Sequence, residues 1–142
     1  MSIDEDFFFA CENGNLSAAK KCVKKGADID AWGNETLRWT AWKGHLNVVK
    51  YLVENGADIH AENDEVLRWA VYRGHLDIVK YLIEQGADVQ AWYDEALRVS
   101  ACNEDLQIIN VIRKAAGDAY KCHKCIIKST CLKLCEDFKN EH

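Results

Sequence analysis

The chain contains no proline. Helices in it meet no stop of that kind, so the turns must be made by other residues. It also lacks any apolar run of the roughly 20 residues that a bilayer-crossing helix needs. The opening Met1-Ser2-Ile3-Asp4-Glu5-Asp6 is acidic. No cleavable apolar core follows it, so a secretory leader is not expected. An excess of positive charge is missing too. The net charge is −5 over 142 residues, which argues against a surface made for nucleic acid. Only residues 120–142 lean basic, with five Lys/Arg against three Asp/Glu, too little to expect DNA or membrane contact. What remains is 49% apolar and 29% charged, the balance of a folded globular domain. The expected location is intracellular and reducing, where the seven cysteines read first as thiols.

Glycine is scarce as well, and its places are periodic. Gly14-Asn15-Leu16, Gly44-His45-Leu46 and Gly74-His75-Leu76 are spaced by 30 residues, and Glu104-Asp105-Leu106 keeps only the leucine of that pattern. Gly26-Ala27-Asp28, Gly56-Ala57-Asp58 and Gly86-Ala87-Asp88 form a second column. Leu37-Arg38, Leu67-Arg68 and Leu97-Arg98 form a third. Three columns sharing one period define an internal repeat.

Each repeat reads as two short helices. In the second, Asn34 is the expected N-cap, with Asp64 and Asp94 at the same place later. Leu37 and Ala41 share one face, and Gly44 ends the helix at low steric cost. Leu46, Val49, Leu52 and Val53 make the apolar stripe of the next helix, which Gly56 ends. Helices this short are unstable alone, so each must bury its stripe against its partner and the neighbouring repeats. The predicted fold is all-α: a solenoid of about four helix-turn-helix repeats, 4–31, 32–61, 62–91 and 92–117, followed by a cysteine-rich helical cap or tail at 118–142.

These residues resemble the ankyrin repeat, most fully over residues 44–59 and 74–89, and the likeness runs from residue 4 to about 117. The period is shorter than the family's norm of about 33 residues, with the loss between Gly56 and Leu67. The protruding hairpin tips should therefore be short. The Thr-Pro-Leu-His signature is replaced by Glu35-Thr36-Leu37-Arg38, Glu65-Val66-Leu67-Arg68 and Glu95-Ala96-Leu97-Arg98. This short Leu-Arg form is similar to the ankyrin proteins encoded by giant DNA viruses of amoebae. That likeness implies a protein acting inside an infected host cell, in its cytoplasm.

Residues that recur in every repeat serve what all repeats share, which is folding. Arg38, Arg68 and Arg98 are expected to bond carbonyls or carboxylates such as Glu35, Glu65 and Glu95 and so link adjacent repeats. His45 and His75 are expected to be structural hydrogen-bonding groups, not metal ligands. Phe9, Trp39, Trp69 and Val99 share a column and are expected to pack between repeats.

Residues that vary are free to serve a partner. The resemblance implies that partners touch the exposed face of the first helix and the tips. By position these are Trp42, Lys43, Tyr72, Arg73 and Asn103 on the helix, and Trp32, Trp92 and Tyr93 at the tips. Trp, Tyr and Arg are the types most enriched in binding hot spots, and clustered exposed aromatics suggest a surface awaiting cover.

The expected function is binding of a protein partner, expected to be a host protein, by a monomer that could also meet its own copy. Alternatives are an adaptor whose tail recruits a second factor such as a ubiquitin ligase, and a structural virion component. No phosphate loop, nucleophile motif or His-Glu-x-x-His zinc helix is present, so no enzyme activity and no cofactor are expected. Cys122, Cys125, Cys131 and Cys135 have three readings: apolar thiols of a cap, a zinc site, or disulfides.

Overall fold

The computed structural model describes residues 2–32 and 34–117. The four tail cysteines, and the cap helix expected to carry some of them, lie outside these residues. The chain divides after Asp88 into two compact units. Among the described residues there are eight α-helices, one 3-10 turn and no strand.

The first unit holds three helix pairs: α1 (Ile3–Glu12) with α2 (Leu16–Lys24), α3 (Glu35–Lys43) with α4 (Leu46–Glu54), and α5 (Ala61–Tyr72) with α6 (Leu76–Glu84). The first helices form one layer, α1 on α3 and α3 on α5, and the second helices form another, α2 on α4 and α4 on α6. Between the layers lie Phe7, Cys11, Leu37, Ala41, Val48, Val49, Leu52, Val66, Leu67, Ile78, Val79 and Leu82, all nearly or fully buried. Each large side chain among them stabilises the stack by about 1.5–3 kcal/mol. The stripe of α4 is turned slightly from expectation: Val48 is buried, whereas Leu46 and Val53 are partly exposed. The second unit pairs α7 (Tyr93–Cys102) with α8 (Leu106–Ala116) over Ala96, Leu97, Ile108 and Ile112.

Helix starts are only partly as the sequence suggests. Ser2 accepts from the backbone N–H of Glu5 at 3.2 Å, and Asn15 from that of Ala18 at 3.0 Å. Asn34 makes no side-chain cap bond. Asp64 does not cap either. It lies at the end of a left-handed turn, with φ of 54° at Glu62, 57° at Asn63 and 56° at Asp64. Left-handed backbone costs a non-glycine residue about 1–2 kcal/mol. Here the buried Asp64 carboxylate offsets part of that cost by pairing with His60 Nδ1 at 2.8 Å. Asp94 falls inside the first turn of α7, which starts after a 3-10 turn at Gln90–Trp92.

Helix ends are as expected. Gly44 has φ 88° in the left-handed region, where a side chain is strained.

Neighbouring repeats are tied by side chains that recur with the period. His45 Nε2 donates to the Glu12 carbonyl and His75 Nε2 to the Trp42 carbonyl, each at 2.9 Å. Those carbonyls sit in the last turns of α1 and α3, where intrahelical partners run out. The His45 ring lies against Gly14 and the His75 ring against Gly44, so close that a Cβ there would come within 2.6 Å and 2.5 Å of a ring atom. On the other layer, Lys20 stacks over the Tyr51 ring and Lys50 over the Tyr81 ring, each 5.6 Å from the centroid. The recurring arginine also behaves as expected where it is seen in full: Arg38 Nη1 donates to Glu65 Oε2 at 2.7 Å.

Candidate functional site

The exposed face of α1, α3 and α5 is aromatic. On α3, Glu35, Arg38, Trp39 and Trp42 recur at helical spacing, so they share one side of the helix. On α5, Trp69 and Tyr72 are three apart and do the same. The rings meet across the layer. Trp42 and Trp69 stand edge to face, centroids 4.7 Å apart and planes at 77°, a favourable geometry for the ring quadrupoles. Tyr72 adjoins Trp69 at 6.1 Å. Arg73 lies over Trp42, its guanidinium carbon 4.6 Å from the centroid.

Two grooves open on this face. One, of about 250 Å³, is lined by Glu35, Arg38, Trp39, Trp42 and Trp69. The other, of about 410 Å³, is lined by Glu5, Phe8, Phe9, Trp32 and Glu35. Phe8 is the pivot of the second, with Phe9 at 6.0 Å and Trp32 at 5.9 Å. Glu35 belongs to both.

Of the residues singled out from sequence, Trp42, Tyr72 and Arg73 come together around Trp69. Trp32 is 44% exposed beside Phe8. Lys43 is exposed, but its ammonium pairs with Glu12 of the preceding repeat at 3.6 Å. Lys43 and Arg73 thus spend part of their charge inside the stack. Trp92 is different: it is buried, 9% exposed. The short connector folds its indole inward, so it offers no surface at a tip. Tyr93 is half-buried at the start of α7, and Asn103 is exposed at its end, its backbone N–H bonded to the Val99 carbonyl.

Phe9 and Trp39 correct the expectation that their column packs between repeats. Phe9 is 45% and Trp39 40% exposed. Of that column, Trp69 is half-buried against Trp42 and bridges two repeats. Sequence did hold the signal, since Trp39 precedes Trp42 by three residues and so shares its exposed side.

The carboxyl of Glu65 is held below its ordinary value, chiefly by the hydrogen bond from Arg38, against the opposing effect of burial. Cys11, in the core, has its thiol pushed up to about 12, mainly by burial. A thiol so placed is inert as a nucleophile.

A family model described as ankyrin repeats, in three copies, matches residues 7–92. No curated protein matches the chain.

Proposed function

Because the chain belongs to the ankyrin-repeat family, a family of protein-interaction modules, we propose that it captures a partner protein on the aromatic face of α1, α3 and α5. One observation carries this reading. Phe9, Trp32, Trp39 and Tyr72 lie in the unit of residues 2–88, each 39–45% exposed. Leaving large rings in water costs solubility, and such a surface gains by being covered. Trp42 and Arg73 complete the patch, and Lys43 contributes its stem. Tyr93 and Asn103 stay candidates on the second unit, and Trp92 supports that unit from inside. The repeat region is residues 1–117.

The finer reading is that the partner is a host protein met in the cytoplasm of an infected cell. The likeness of the short Leu-Arg repeat to those of giant amoebal viruses supports it. The protein acts as a binder without catalysis of its own.

The test is the paired variant Trp39→Ala with Tyr72→Ala. Both rings are exposed enough to be removed without opening the core, so the helical circular-dichroism signal should be retained. Capture of partners from host-cell extract should fall at least tenfold, as for the loss of about 1.4 kcal/mol or more at a hot spot. Capture at wild-type affinity by the folded variant would place the interface elsewhere.

A further inference from the structure

The two grooves that share Glu35 differ in charge. The tryptophan groove already has cations of its own. Arg38 lines it, and Arg73 stacks on Trp42 at 4.6 Å. The groove of Phe8, Phe9 and Trp32 is bounded by the carboxylates of Glu5 and Glu35, and among the described residues no basic side chain lines it. Arg38 makes its short contact with Glu65, at 2.7 Å, and reaches Glu35 at 4.0 Å, the long limit of an ion pair, from the side of the tryptophan groove. The Glu35 side chain keeps 46% of its surface in water. Ring faces are the negative side of an aromatic quadrupole and attract cations. Two carboxylates beside three rings therefore ask for positive charge.

Resting on the reading that this face binds a protein, we propose that the Phe8–Phe9–Trp32 groove receives a lysine or arginine side chain of the partner. Its cationic head lies against Glu5 and Glu35, and its alkyl stem covers the rings. Charge complementarity selects this occupant. An apolar side chain here would strip water from carboxylates without replacing it, and an acidic one would be repelled. The neighbouring tryptophan groove, supplied with its own arginines, takes an apolar residue of the same segment. The partner epitope is thus a basic residue followed closely by a large apolar one. The chain's net charge of −5 acts in the same sense at longer range.

The full chain, labelled with ¹⁵N in its tryptophans, allows a direct test by NMR. The Trp32 indole N–H is followed while n-butylammonium chloride, a mimic of the lysine head and stem, is titrated. The neutral 1-butanol is titrated in parallel at matched ionic strength. The ammonium should shift the Trp32 signal saturably and the alcohol should not. Glu5→Gln and Glu35→Gln should each weaken the ammonium response by about two- to fivefold, with the circular-dichroism spectrum unchanged. Equal responses to both probes, no response to either, or unaltered binding in both variants would overturn the proposal. So would a Trp32 signal that moves with protein concentration alone, which identifies a second copy as the occupant. The readout needs no partner, so its failure leaves capture through Trp39 and Tyr72 standing. Loss of ordinary capture specificity at those rings would be seen separately.

Discussion

The residue after the column glycine does two different jobs: in the first repeat Asn15 accepts from its own helix at the Ala18 N–H, and in the next two repeats the same place joins one repeat to another. In the first unit, His45 and His75 reach back to a carbonyl of the preceding repeat. In the second, the same place holds Asp105, whose carboxylate accepts from its own helix at the Ile108 N–H, 3.1 Å away. A carboxylate has no proton to give a carbonyl. The preceding position changes in step. Gly14, Gly44 and Gly74 have positive φ, and Glu104 adopts φ 55° in spite of its side chain. The backbone turn is thus retained while the chemistry that joins repeats is exchanged for chemistry that closes a single helix. Repetition of shape and repetition of linkage are separable.

The comparison breaks most severely at the glycine. Gly44→Ala places a Cβ 2.5 Å from a His75 ring atom, and that ring is held by its bond to the Trp42 carbonyl. Together with the strained positive φ this should destabilise the chain by about 2–4 kcal/mol, read as a lowered urea midpoint. His75→Ala should cost less, about 1–2 kcal/mol, because it orphans one half-buried carbonyl and leaves a gap. Asp105→Ala should fall near the same value through loss of a cap, but without slackening contacts between repeats. Hydrogen exchange would separate the two. Protection at the end of α3 should drop for His75→Ala, and only the start of α8 should respond to Asp105→Ala. Glu104→Gly should act in the opposite direction, raising stability by about 1 kcal/mol in thermal melts as the left-handed strain is relieved.

The smallest effect is set by pH. Glu65 binds its proton less readily in the fold than in the unfolded chain, because Arg38 holds its carboxyl low. Its contribution is therefore complete above the free value of 4.5 and disappears as pH falls through the lowered folded value. At a quarter exposed, the pair should contribute at most about 1 kcal/mol. Glu65→Gln should flatten the acid limb of the stability curve below pH 4.5 by that amount, and an unaltered limb would remove the Arg38–Glu65 tie from the list of links between repeats.

Much of this was legible in the sequence, and the exceptions have physical causes. Periodic glycines mark helix ends because positive φ selects glycine wherever the chain turns that way. Leu37, Leu67 and Leu97 read as core because apolar spacing reports a buried face. The structural role of the histidines was readable from their recurrence. Their partners were not, because a bond from His45 to Glu12 exists only once repeats have stacked. The same holds for Lys43 with Glu12 and Arg73 with Trp42, which make two candidate contact charges links of the stack as well. Asn34 and Asp64 have the composition of caps, but the connectors around them settle into different turns, and at residues 62–64 a carboxylate–imidazole pair overrides local preference. Trp92 misled for the opposite reason: a short tip has little reach, so its ring finds the interior before it finds a partner.

The pairing of one repeat's glycine with the next repeat's histidine also bears on how such an array can lengthen. Gly14 matches His45, and Gly44 matches His75, at an offset of one residue beyond the thirty-residue spacing. Duplication of a thirty-residue block that carries both members, such as residues 31–60 with Gly44 and His45, reproduces the match at the new seam. Gain or loss of a single codon between the two members separates them. The junction is thus compatible with the copying of such whole blocks and incompatible with a shift of one residue, so it sets the register in which an array of this kind can grow.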